Sequence, residues 1–258
     1  MLGRPNGRNF NLLPQLCKSL RCDGLEFLMY DTWYDKIPEI KACMKKVSLP
    51  VCVFHIEKTV GEQISHGNLD LALERMEINC ALAKDLGAST LVLHLWNGII
   101  SDKNIERNIQ GYVDLLKIAE KYGLILTIEN VVCAEKSPME HLKALKEKYP
   151  QIKFTFDTKM ADFHKELDLL YDMNYAHVVE SIAHIHANDY LGGYKDWSNL
   201  RVLPIGCGDI NFDKLFAFIK EMGYTGDFTT EATAFNSEGV VDIEMLNDTI
   251  ERIREYIK

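Results

Sequence analysis

The 258-residue sequence predicts an α/β fold, a single-domain (β/α)8 barrel, on three observations. The length is close to the roughly 250 residues typical of one such barrel. Short apolar runs rich in β-branched residues alternate with amphipathic stretches, with no long linker, as parallel βαβ units require. Polar residues within or ending those runs recur at positions 26, 55, 94, 129, 157, 186 and 231, six steps over 205 residues. That is about 34 residues per step, one βα unit each.

The elements follow in order. Residues 1–4 make a poor strand before Pro5-Asn6-Gly7, so the first of eight strands is expected to be short or irregular, or else the numbering starts inside a longer reading frame. A helical run follows from about Phe10 to Leu20. Strands are expected at Gly24–Met29, Pro50–Ile56, Thr90–Trp96, Leu124–Asn130, Lys153–Thr158, Ala183–Asp189 and Asp227–Thr233. Helices are expected at Ile37–Lys46, Asn68–Leu86, Asn104–Tyr122, Pro138–Lys148, Leu167–Ser181, Phe212–Met222 and Ile243–Tyr256. Gly87, Gly123 and Gly223 stand where a left-handed residue ends a helix, and Pro138 suits a first helical position. A doubly wound open sheet is disfavoured, because no GxGxxG or GxxxxGK[ST] phosphate loop is present.

Composition narrows the function. Hydrophobic residues at 47% and charged residues at 26% are ordinary for a globular enzyme. A formal net charge of −9 argues against a nucleic-acid groove, which depends on a cationic surface. The seven cysteines are scattered and form no CxxC pair, which predicts reduced thiols in a cytoplasmic protein. The longest apolar runs are too short to span a bilayer.

Strand parity locates the chemistry. Side chains alternate between faces, so Val53/His55, Val92/His94, Thr127/Glu129, Thr155/Asp157, His184/His186 and Thr229/Glu231 are same-face pairs. The later member of each lies at the C-terminal strand end, where barrel enzymes place their active sites. Glu129, Asp157, His186 and Glu231 are thereby expected to converge on one mouth. Three carboxylates so close would repel unless a cation neutralised them, and the set suits Mn²⁺, Mg²⁺, Co²⁺ or Zn²⁺.

The motifs carrying these residues are Gly24-Leu25-Glu26, Leu93-His94, Ile128-Glu129-Asn130, Phe156-Asp157-Thr158, His186-Ala187-Asn188-Asp189, Pro204–Phe212 and Thr230-Glu231. In order and spacing they resemble the xylose-isomerase-like barrels, a superfamily of ketose epimerases, sugar isomerases, dehydratases and endonuclease IV enzymes. The resemblance implies that Glu129, Asp157, His186 and Glu231 are metal ligands. It also implies that Glu129 and Glu231 move protons on opposite faces of a small sugar or keto-polyol, with an enediolate stabilised by the metal. Glu135 stands where ketose epimerases place a substrate-contacting glutamate; the alternative is a solvated loop acid. His55 and His94 match the histidines that build a second zinc position in the endonuclease branch, or else hydrogen-bond substrate or the carboxylates.

Some positions depart from the pattern. Met160 replaces a histidine common three residues past the strand-end aspartate. Leu200 and Val202 stand where relatives with a third metal have Asp and His, which disfavours an endonuclease-like phosphodiesterase. Lys159 and Arg201 are candidate cations for a substrate carboxylate or phosphate, or are solvated charges. Trp96 could stack on a sugar or cover the mouth, and the connection Tyr190–Leu203 could form a pocket wall. Glu26 is read as an inward acid that contacts the site or pairs with a buried base. His184 is read as buried and hydrogen-bonded; His66, His141, His164 and His177 as solvated or capping.

The leading expectation is therefore a divalent-metal-dependent isomerase or epimerase. A dehydratase or lyase on a related substrate is the alternative, with a phosphodiesterase and a non-catalytic sugar-binding barrel behind it. The partner is a sugar-like small molecule, with neither nucleic acid nor membrane expected. Barrels of this group often pair as homo-oligomers, and no segment marks an interface.

Overall fold

A computed structural model describes residues 8–232 and 240–258, with the backbone alone at 98–100. Among these residues seven parallel strands form one sheet in sequence order: β1 Leu25–Leu28, β2 Val51–His55, β3 Thr90–Leu93, β4 Ile125–Glu129, β5 Lys153–Asp157, β6 Ile182–His186 and β7 Asp227–Thr229. Six fall inside the expected runs, and β6 begins at Ile182, one residue before the expected Ala183. The sheet curls into a nearly closed barrel, with a seam between β7 and β1. A cavity of about 370 Å³ lies along the seam, lined by Phe10, Glu26, Leu28, Phe228, Thr229 and Ile253 among others. The expected irregular first strand falls on residues 1–7, outside the described residues.

Alternation of side chains builds two layers. On the outward face Phe54, Leu91, Ile128, Phe154 and Ile185 are at most 2% exposed beneath the helices. Transfer of such side chains from water contributes roughly 1.5–3 kcal/mol each. On the inward face Thr127 and Thr155 meet at 2.6 Å, and Thr127 also engages the Leu91 carbonyl at 2.7 Å, so these two hydroxyls are satisfied.

The helices end as predicted. Gly87, Gly123 and Gly223 hold φ of 91°, 67° and 68° just past helices Leu69–Leu86, Ile105–Lys121 and Phe212–Glu221. Pro138 opens helix Pro138–Lys148, whose first turn is capped by the Ser137 side chain accepting from Glu140 N. The expected helix Leu167–Ser181 is instead three short pieces, Leu167–Tyr171, Met173–Tyr175 and Ala176–Val179. Asp172 breaks it: its backbone is extended, and its side chain accepts from Asn174 N, capping a new turn. The run near Phe10–Leu20 is likewise broken into short turns.

Candidate metal centre

Each mouth residue is delivered by a strand end. Register pairs Glu129 with Thr155, Asp157 with His186, and His186 with Thr229, so β4, β5 and β6 present their last residues side by side. Glu231 arrives two residues beyond β7, its backbone N–H held by Asn188 Oδ1 at 2.8 Å. One ligand atom from each of Glu129, Asp157, His186 and Glu231 lies within 4.8 Å of all the others. His186 Nδ1 is 3.1 Å from Glu129 Oε1, 3.8 Å from Asp157 Oδ2 and 3.7 Å from Glu231 Oε2.

Asparagines fix the acids. Asn130 donates to the Asp157 carbonyl and accepts from the Asp157 N–H, while Asn188 Nδ2 reaches Asp157 Oδ2 at 3.2 Å and Glu231 Oε2 at 3.4 Å. Asp157 Oδ1 caps the helix Thr158–Phe163 by accepting from Met160 N, leaving Oδ2 for the cluster. Neither asparagine was assigned a role from sequence. Parity could have found Asn188, which continues the His184/His186 face.

The second group, His55, His94 and Glu129, shares one oxygen. Glu129 Oε2 lies 2.6 Å from His94 Nε2 and 3.4 Å from His55 Nε2, but the angles are not those of a hydrogen bond. Glu129 Oε2 and His94 Nδ1 are thus buried without a hydrogen-bond partner. His55 Nδ1 contacts the Ile56 carbonyl at 2.8 Å, and its Nε2 faces the glutamate.

Charge decides the electrostatics. Burial acts to raise the Glu129 carboxyl, but His94 and His186 outweigh it and hold it well below the ordinary carboxylate range. Glu231 is lowered against its own burial by His186 and Lys159. Burial pushes His94 down to about 4, against the pull of Glu129. His186 goes the other way: burial acts downward, yet Glu26, Glu129 and Glu231 raise it well above the ordinary imidazole value. A proton on His186 thus offsets part of the charge that a cation would neutralise. The donor set fits such a cation: oxygens and imidazole nitrogens, buried, excess in negative charge, with one carboxylate oxygen lacking a donor.

Other expected residues lie elsewhere or behave differently. Lys159 is not a surface cation; it is 4% exposed, with Nζ 3.6 Å from Asp157 Oδ2. Its ammonium is raised, burial being overcome by Asp157, Glu231 and Glu129. Arg201 is exposed and donates to Asn199 on its own loop. Glu135 is about half exposed and pairs with Lys103 at 3.3 Å. Trp96 has no face open to solvent; its indole N–H donates to the Val131 carbonyl and its ring packs edge-on against His141. His66 is exposed and His177 half-buried, but His141 and His164 are not solvated, each being 4% exposed. His141 faces Asp102 and His164 accepts from Cys133 N.

The wall beside the mouth is tied down by Asp189, whose carboxylate accepts from the backbone N–H of Tyr190, Gly206, Gly208 and Ile210. At Gly208 a Cβ would collide with that carboxylate and with the Tyr190 backbone, so the close approach requires glycine.

The chain belongs to the xylose isomerase-like TIM barrel family, whose profile matches residues 14–256. An uncharacterized protein of Methanocaldococcus jannaschii is 26% identical over 195 residues, spanning 68% of this chain and 61% of that protein. The 3-keto-D-glucoside 4-epimerase of E. coli superposes with a TM-score of 0.71 at 17% identity, covering 96% of this chain and 94% of that one. The D-allulose 3-epimerase of Methylomonas sp. gives 0.71 at 15% identity, covering 96% and 91%. At these identities the structural likeness is one of fold. Among the described residues no helix is long and apolar enough to cross a membrane.

Proposed function

We propose that this xylose isomerase-like barrel is a divalent-metal-dependent isomerase or epimerase of a small sugar or keto-polyol. One observation carries the reading: Glu129, Asp157, His186 and Glu231 crowd their ligand atoms within 4.8 Å while Glu129 Oε2 lies buried with no donor. Those four residues would hold the cation. When bound, it would polarise a carbonyl oxygen and offset the negative charge that builds there on deprotonation of the adjacent carbon.

The chain's own groups supply the proton transfer. Glu129 and Glu231, both lowered and therefore ionised at neutral pH, act as bases and then return the proton as acids. Glu231, with 16% of its side chain exposed against 1% for Glu129, is the one that trades its proton with solvent. Lys159 balances Asp157 and keeps the carboxylates from repelling one another. His55 and His94 steady Glu129 or, with it, hold a second cation. Neither Leu200 nor Val202 can ligate a third one, which disfavours phosphodiester cleavage.

The test is metal content together with exchange. The protein, loaded in turn with Mn²⁺, Co²⁺, Mg²⁺ and Zn²⁺, is incubated with ketoses in deuterated water. The expected result is about one tightly bound cation and solvent deuterium at the carbon next to the carbonyl. Bound cation without exchange on any ketose sinks the isomerase reading. Growth of enone or diketone absorbance instead of an epimer selects the dehydratase.

A further inference from the structure

Glu26 sits on β1, across the seam from the mouth, and is absent from the four-residue cluster. Its carboxylate nevertheless ends on the ligand histidine: Oε1 and Oε2 lie 3.1 and 3.0 Å from His186 Nε2, and Oε2 lies 3.1 Å from His184 Nε2. The side chain is 6% exposed. The register of β1 on β2 shifts between Leu25 and Glu26, an irregularity of the kind that re-aims a side chain beside a functional site.

The two nitrogens of His186 therefore face two different environments. Nδ1 looks at Glu129, Asp157 and Glu231; Nε2 looks at Glu26. An imidazole that ligates a cation through one nitrogen must carry its proton on the other, and the partner of that proton fixes both tautomer and ring orientation. Without an acceptor at Nε2, the neutral ring could place its proton on Nδ1 and donate it to Glu129 Oε1, in competition with a cation.

We propose that Glu26 is a positioning residue that accepts the Nε2–H of His186 and so presents Nδ1 bare to the cation. His184, donating to the same carboxylate, holds Glu26 against rotation. The proposal rests on the metal reading above, but it concerns the preorganisation of one ligand rather than the reaction.

The experiment compares parent protein, Glu26→Gln and Glu26→Ala. Zn²⁺ affinity is measured by chelator competition, Zn²⁺ stoichiometry by elemental analysis, and the His186 ring nitrogens by long-range ¹H–¹⁵N NMR. Expected are a 10- to 100-fold loss of affinity in Glu26→Ala and a smaller loss in Glu26→Gln, whose amide oxygen still accepts one bond. The parent shows a His186 Nε2–H protected from exchange, and Glu26→Ala loses it.

Unchanged affinity in both variants overturns the proposal. So does loss of one of two bound equivalents with the other unaffected, since Glu26 would then itself be a ligand. If the parent binds no cation, the metal reading fails on its own; the positioning role is then judged by the Nε2–H signal, whose persistence in Glu26→Ala overturns it. Should Glu26→Ala not fold, Glu26→Gln carries the same readouts.

Discussion

Two clusters in this barrel combine acid and imidazole and differ in how their polar atoms are met. At the mouth, Glu129, Asp157, His186 and Glu231 face one another with an excess of negative charge and an oxygen lacking a donor. Asp102, Cys133 and His141 also bring their ligand atoms within 4.8 Å. There every role is filled. Asp102 Oδ2 accepts from the backbone N–H of Glu135 and Lys136, and Oδ1 meets His141 Nε2 at 3.1 Å. His164 receives the Cys133 N–H at 3.0 Å, and Lys195 donates to the Ala134 carbonyl at 2.9 Å. Burial raises the Cys133 thiol, which disfavours the thiolate. Residue identity does not separate a reactive centre from a structural pin; the balance of donors and charge does. The second cluster fastens the loop between β4 and helix Pro138–Lys148, and with it the position of Glu135.

The comparison breaks most decisively through the mouth. Glu129→Gln should abolish tight cation binding and lower kcat/KM by at least roughly 10³-fold, since both a ligand and a base are lost; the checks are metal analysis and the deuterium-exchange rate. If Asp102→Asn lowered metal content as much, the division between the clusters would be wrong. The expected effect of Asp102→Asn is instead about 1–3 kcal/mol of stability, because the loop N–H groups lose a charged acceptor. Urea denaturation measures it, with cation stoichiometry unchanged.

A pH series sharpens the division further. Burial, with Lys195 nearby, pushes His164 down to about 4. The fold keeps this imidazole neutral, while the unfolded chain protonates it below about 6.5, so its contribution is full above that pH and is lost as pH falls toward 4. The urea midpoint should therefore drop over this interval, and less steeply in His164→Gln; equal slopes would refute the assignment. The smallest effect belongs to the exposed pair of Lys103 and Glu135. Lys103→Ala should change stability by no more than about 0.5 kcal/mol. Glu135→Ala raises KM only if that glutamate swings to the substrate.

Much of the mouth was legible because parity is a property of the extended chain itself. Residues 129, 157 and 186 end their strands on the inward face whatever the helices do, and a repeat of about 34 residues brings those ends together. Glu26, read by the same parity as an inward acid that contacts the site or pairs with a buried base, faces His184 and His186. The pin was not legible. His141 and His164 sit on a helix and at a helix end, where burial depends on which neighbour packs against them, and Asp102 lies in the short helix Gly98–Lys103, too brief to carry a periodic signal. Trp96, read as stacking on a sugar or covering the mouth, is fully buried, with its indole N–H on the Val131 carbonyl. The broken helix at Asp172 shows a local side-chain cap overriding a plausible apolar period.

Among the described residues β1 and β7 are not paired, and side chains rather than backbone join β1 to β6. A fully hydrogen-bonded cylinder resists radial opening equally around its rim, but the edges of β1 and β7 face a cavity. Glu26 reaches over that gap to β6 like a latch on a hinged ring. Filling the mouth should draw His186 inward and tighten the latch, so amide exchange along Leu25–Leu28 slows when the pocket is loaded. Unchanged exchange there would mean that the contact of Glu26 with His186 does not carry occupancy of the centre to the rim.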